Sequence, residues 1–143
     1  MARLSSHFDL QDARFSTVIV ECVQPLTIAA DSNQTLTGAQ LLCGLILRSG
    51  MTAARTDTLP SAAALCEAIQ GCMVNHSISV RFRNVNATAQ TYTIAVGAGG
   101  TLATGNGNTA AQNNDRVLRI ILTNVTIGQE AYTVYSTGGG TFN

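Results

Sequence analysis

No lysine and no tryptophan occur among the 143 residues, and charged side chains make up only 11% of them, against roughly 25% in globular domains at large. The cations are all arginine, eight of them, and eight acids balance them to a formal net charge of zero. Such a chain has no long-range field to steer it onto nucleic acid or an anionic lipid surface, so neither partner is expected. Aromatic residues stand at 5%, which leaves few of the flat stacking platforms that sugar-binding modules use. Cys22, Cys43, Cys66 and Cys72 form no C-x-x-C pair and only two histidines accompany them. A zinc centre is therefore not expected, and neither a metal nor another cofactor is assigned. The longest apolar run, residues 41–47, is far too short to cross a bilayer, and the first residues lack the apolar centre of a secretion signal. The expectation is a chain made in the cytoplasm with no membrane partner.

What remains is 45% hydrophobic and long enough for one domain with a core that needs no metal or disulfide. Its surface must be covered largely by Thr, Asn, Gln, Ser, Ala and Gly. A poorly charged surface suits a chain that covers itself by assembling, the other reading being a sticky monomer. Arginine without lysine points the same way, because arginine suits bidentate and interface contacts while lysine is depleted there; nucleotide bias explains the pattern equally well. Cys43 lies in Leu-Leu-Cys-Gly-Leu and Cys66 in Ala-Leu-Cys-Glu, settings in which cysteine acts as a small hydrophobe. The four thiols are expected reduced and largely buried.

The stretch 77–96 carries the clearest pattern. Ile78, Val80 and Phe82 alternate with Ser79, Arg81 and Arg83, and Tyr92, Ile94 and Val96 alternate with Thr91, Thr93 and Ala95, the period of two half-buried strands. With the polar link 84–90 between them they read as a hairpin. Further strands are expected at 17–23, 26–30, 45–48, 101–104, 116–123 and 131–136, the run 116–123 being apolar on both sides as in a central strand. Thr37 with Gln40 forms a capping box for one helical turn at 38–42. Residues 50–57 read as a loop, and a helix over about 58–70 is marked by Pro60 near its start and Gly71 after its end. The fold class is all-β: a two-sheet, jelly-roll-like sandwich of roughly eight strands with one short helix. Residues 1–16 form an N-terminal arm, 17–136 the sandwich, and 137–143 a glycine-rich tail.

Chemistry is sparse. His76 could be drawn into a Ser/His/Asp set, but no G-x-S-x-G elbow occurs and any chain of this length offers such triples. The groups at Gly97–Gly100 and Gly138–Gly140 lack the lysine and following helix of a phosphate loop. Asp31-Ser32-Asn33 begins like a calcium loop but lacks its later glycine and glutamate. The N-x-S/T sequons at Asn33, Asn75, Asn86 and Asn124 are expected by chance in so Asn- and Thr-rich a chain. No catalytic residue is assigned. The one polar constellation is Arg81, Arg83, Arg116 and Arg119 on adjacent strands, either a solvated charged face or a clamp onto a partner's carboxylates. Phe142 reads as an anchor in a neighbour's groove or as part of a frayed end. Leu4, Phe8, Leu10 and Phe15 give the arm its anchors for docking, the other reading being a disordered tail.

Between Ala39 and Ser136 the chain resembles a known family. The stretches that carry the likeness are AQLLCGLILR at 39–48, ARTDTLPSA at 54–62, SVRFRN at 79–84, LTNVT at 122–126 and AYTVY at 131–135. They are similar to small virion-structural proteins of tailed phages and other large double-stranded DNA viruses, namely capsid decoration (cement) or minor capsid proteins. The resemblance implies a non-enzymatic β-rich homotrimer on the capsid surface of a virion, with the major capsid protein as partner, locking neighbouring capsomers. Two other classes compete: a carbohydrate- or receptor-binding sandwich module, and a hydrolase, which lacks an acid–base set here.

Overall fold

The computed structural model describes residues 24–105 and 107–142. The arm 1–16 with Leu4, Phe8, Leu10 and Phe15, the expected strand 17–23 and Cys22 lie outside the described residues. The described chain runs β1 (Leu26–Ala29), α1 (Gly38–Leu41), β2 (Leu45–Ser49), β3 (Arg55–Thr58), α2 (Ala62–Ala68), β4 (Ser77–Asn84), β5 (Tyr92–Ala95), β6 (Gly100–Leu102), β7 (Thr109–Ala110), β8 (Asn114–Asn124) and β9 (Ala131–Thr141). Two sheets form, one of six strands in the order β1-β2-β4-β8-β9-β6 and one of three in the order β3-β5-β7. The fold is thus the all-β sandwich expected, with a mixed ladder: β1 with β2, β2 with β4, β3 with β5 and β6 with β9 are parallel, the other pairs antiparallel.

Alternation decides which side chains meet between the sheets. Ile46 of β2, Val80 and Phe82 of β4, Leu118, Ile120 and Leu122 of β8 and Tyr132 and Val134 of β9 point inward and are buried, facing Tyr92 and Ile94 of β5. Phe82 and Tyr92 meet at a tilt, ring centroids 6.3 Å apart and planes at 58°, within the separation at which ring quadrupoles attract. One end of the core is closed by α1 and α2. Thr37 and Gln40 make the reciprocal capping box predicted from sequence, and Gly44 ends the turn at φ +75°.

Several sequence expectations are corrected. β4 and β5 do not form a hairpin; they lie in different sheets, and the link between them crosses the sandwich. Two buried asparagines turn the chain there. Asn84 Nδ2 donates to the carbonyls of Gln90 at 2.7 Å and Ala110 at 3.0 Å, and Asn86 exchanges bonds with the backbone N–H and carbonyl of Met51, both 2.9 Å. The supposed loop 50–57 contains β3, whose four polar residues Arg-Thr-Asp-Thr hid a strand from a hydrophobicity pattern. The helix expected over 58–70 is shorter, because Thr58 is held in β3 and Ser61 is the residue whose hydroxyl caps the N-terminus, accepting from Ala64 N–H at 3.2 Å. The glycine-rich segment 137–143 is not a separate tail through Thr141: β9 continues to that residue, with Gly138, Gly139 and Gly140 paired to Val117, Arg116 and Asp115. Glycine is required at 139, where a Cβ would stand 2.5 Å from the carbonyl oxygen of Asp115.

A charge pair joins the sheets. Arg48 of β2 and Asp57 of β3 are both fully buried, with Nε 2.9 Å from Oδ2. The rest of the guanidinium is taken up by backbone: Nη1 donates to the carbonyls of Ala30 at 2.6 Å and Ser49 at 3.2 Å, and Nη2 to that of Ser32 at 2.6 Å. Asp57 Oδ1 accepts from Gln34 N–H at 2.9 Å. Burying two charges costs several kcal/mol each, so the pair holds only because nearly every donor and acceptor around it is used.

Removing one partner, by Asp57→Ala or Arg48→Ala, should lower unfolding free energy by about 3–5 kcal/mol. An apolar double replacement, Arg48→Met with Asp57→Leu, should still lose about 1–3 kcal/mol, since it orphans the buried carbonyls that Arg48 serves. Urea unfolding followed by far-UV circular dichroism checks both, and a double variant as stable as the parent would contradict the assignment.

Candidate interface

The odd-numbered residues of β4 and β8 point away from the core, so the arginines read from sequence can be placed by parity. Arg81 and Arg83 of β4 and Arg119 of β8 stand on the outer face of the six-stranded sheet. Arg116 does not join them. It has the parity of Leu118 and Ile120, turns inward, and donates from Nε to the Thr109 carbonyl of β7 at 2.7 Å. It belongs to the joint between the sheets, and this corrects its place in the constellation.

Among the described residues the three outer arginines have one acid in ion-pair range. Arg81 Nη1 lies 3.6 Å from Asp115 Oδ2, a long pair with the arginine in solvent, of the kind that contributes under about 1 kcal/mol. Arg119 donates from Nε and Nη2 to the Ser77 hydroxyl at 3.3 and 3.0 Å. Arg83 lies flat on Phe142, its guanidinium carbon 3.7 Å from the ring centroid, and Phe142 N–H donates to the Asn113 carbonyl at 2.8 Å. Phe142 is therefore anchored on its own chain, neither frayed nor projecting to a neighbour.

Between these arginines stand apolar side chains. Leu45 and Leu47 of β2 are in register with Arg81 and Arg83, Val117 lies across from Arg81, and Tyr135 of β9 lies opposite Arg119. Leu45, Leu47, Val117 and Ile121 are half-buried and Tyr135 is exposed, so the described residues leave this face open. Open aliphatic surface interleaved with arginine and tyrosine is the composition of an interface core.

The other sequence candidates are engaged structurally. Asp31 accepts from the Thr52 N–H and hydroxyl and from Arg55, whose Nη2 lies 2.6 Å away; those bonds hold its carboxyl well below the ordinary carboxylate range. Asn33 Oδ1 accepts from Thr56 N–H at 3.0 Å, so the Asp31-Ser32-Asn33 stretch ties β1 to β3. His76 leads into β4, its carbonyl accepting from Leu122 N–H at 2.9 Å. The amide of Asn86, in one of the sequons, is buried and donates to Met51 and Thr88. Among the described residues no group of three or more His, Cys, Asp or Glu is placed to hold a metal ion, and no helix is long and apolar enough to cross a membrane.

The residues that sequence reasoning passed over are Arg48, Asp57, Asn84 and Tyr132. The Tyr132 hydroxyl donates to the Pro60 carbonyl at 3.0 Å and accepts from Gly97 N–H at 2.8 Å. Its ring lies where a Cβ on Gly100 would be, 2.4 Å away. A signal was present for Arg48, which shares the parity of buried Ile46.

Comparison of the chain with family models, curated proteins and solved structures finds no match in any of the three.

Cys43, Cys66 and Cys72 carry free thiols and are half-buried rather than largely buried. Burial first, and then a hydrogen bond with the Cys72 thiol, pushes Cys66 up to about 12, so its reactive thiolate is scarce near neutrality. Iodoacetamide labelling of the native protein at pH 8, read by peptide mass mapping, should modify Cys66 at least about ten-fold more slowly than Cys43. Equal rates would refute the burial assigned to it.

Proposed function

We propose that the chain is a non-enzymatic structural protein of a virion, a capsid decoration (cement) or minor capsid protein that assembles as a homotrimer and steadies contacts between capsomers by binding the major capsid protein. The observation that carries this reading is the open outer face of the six-stranded sheet, where Arg81, Arg83 and Arg119 alternate with Leu45, Leu47, Val117 and Tyr135. Arginine and tyrosine supply most of the energy at protein interfaces, and half-buried aliphatic neighbours exclude water around them.

Two further features support it. A chain with 11% charged residues gains solubility by covering neutral surface in an assembly, and a closed ring leaves no unpaired copy to extend into a filament. The sandwich behind the face is pinned by the buried Arg48–Asp57 pair, and a stiff scaffold loses little conformational entropy on docking. A cement protein needs that stiffness, since it acts by resisting relative motion of the shell subunits it joins.

Light scattering on the purified chain should give three times the 14.9 kDa chain mass across micromolar concentrations. The trimer should co-sediment with shells assembled from the major capsid protein encoded in the same genome and raise their unfolding temperature. A monomeric mass with no co-sedimentation would overturn the proposal.

A further inference from the structure

The strand directions divide the sandwich into two ends. β4 begins at Ser77, β8 finishes at Asn124 and β9 begins at Ala131, so the segments 69–76 and 125–130 lie at one end together. The Asn75 N–H donates to the Leu122 carbonyl at 2.8 Å there. The helices sit at the same end: Ala62 N–H donates to the Ala98 carbonyl at 2.8 Å, and a Cβ on Gly38 of α1 would meet the Cβ of Ala68 of α2.

This end gathers apolar side chains that the other described residues leave exposed. Leu42 is 48% exposed, Met73 59%, Val74 49% and Ile127 94%, and the one other large hydrophobic residue so exposed among those described is Tyr135, on the open sheet face. Four large apolar groups in solvent at one end of a domain mark a contact surface, because scattered exposure would distribute them.

Charge distinguishes the end from the face. Glu67 of α2 and Glu130 of the β8–β9 turn stand at the end, and neither has an arginine within ion-pair range among the described residues. Of the described arginines, Arg48 is paired with Asp57, Arg55 with Asp31 at the opposite end, and Arg116 with the backbone of β7. The remaining three, Arg81, Arg83 and Arg119, are on the outer sheet face, and Asp115 is the one acid among the described residues paired with any of them. The described residues therefore form an acidic apolar end and a basic apolar face.

The geometry points to a head-to-tail contact between copies of this chain, in which the acidic apolar end of one copy docks on the arginine-bearing outer sheet face of the next. The inference rests on the self-association proposed above and names the surfaces that make it. Opposite charge sets the register and apolar burial supplies the affinity. Two unlike patches make a heterologous contact, which closes into a ring when the rotation between neighbours divides a full turn. Packing the sheet face against itself would instead oppose arginine to arginine.

Charge reversal on the full-length chain tests it, with far-UV circular dichroism to confirm folding. Glu67→Arg with Glu130→Arg, and separately Arg81→Glu with Arg119→Glu, should each raise the concentration needed for assembly at least about ten-fold. The variant with all four changes should recover the parental mass, and a one-to-one mixture of the two double variants should associate where each alone stays monomeric. An end variant that assembles like the parent, or a fourfold variant that stays monomeric, overturns the head-to-tail contact while leaving trimerisation standing. A parental chain that is monomeric overturns both.

Discussion

The buried pair of Arg48 and Asp57 is the constraint on which the two sheets depend. Each charge alone would be intolerable in a core of Ile46, Phe82, Tyr92 and Leu118, so each sheet carries a liability that only the other relieves. The arginine also gathers carbonyls from the chain after β1, at Ala30 and Ser32. Those residues therefore cannot drift from β2, and through Gln34 N–H on Asp57 the same knot continues into β3. Tyr92 completes the surroundings, its ring 6.0 Å from the guanidinium, and burial pushes its hydroxyl well above the ordinary tyrosine range. Apolar packing alone would hold two sheets together in many relative positions. A buried ion pair whose guanidinium also binds the carbonyls of Ala30, Ser49 and Ser32 selects one.

The opposite margins of the sandwich are fixed by neutral groups on the same logic. Asn84 and Asn86 occupy the crossing from β4 to β5, where the backbone leaves one sheet before joining the other and would otherwise bury unpaired carbonyls. Tyr132 does this at the helical end, satisfying Pro60 and Gly97 with one hydroxyl. With those margins fixed, the outer face of the six-stranded sheet is presented as a rigid platform whose arginines are positioned by strand register.

Much of this was legible in the sequence wherever burial alternates. β4 announced itself by period two, and the capping box of Thr37 and Gln40 fixed the start of α1 to the residue, because both signals are local. β8 read as apolar on both sides, whereas it buries Leu118, Ile120 and Leu122 on one side and leaves Arg119 exposed on the other. The hairpin failed because alternation gives a strand and its faces but not its partner: 77–84 and 92–95 look alike whether they pair or oppose each other across a core. β3 was invisible because Arg55, Thr56, Asp57 and Thr58 hold no apolar residue; its inward residue is Asp57, matched to an arginine sequence reading had counted simply as the end of a strand. Arg81, Arg83 and Arg119 were placed correctly on one face, while Arg116 was not, since one step in parity separates an exposed side chain from an interior one.

The glycine run near the end of β9 has its own consequence. Thr137 is the extra residue where the ladder jumps from Val117–Gly138 to Leu118–Ser136, and beyond it Gly138, Gly139 and Gly140 contribute backbone bonds but no side chains to pack. Everything past that bulge is retained by the ladder, by the Gly140 N–H bond to Asp115, and by Phe142 under Arg83. The last turn of the strand thus forms a separate opening unit, bounded by the bulge, whose latch is one stacked ring. Amide protons there would exchange through a local peeling motion that leaves β8 and the core closed. Because Arg83 closes the latch, a ligand or neighbouring subunit that drew its guanidinium away would release the strand end and expose the edge of β8 beneath it.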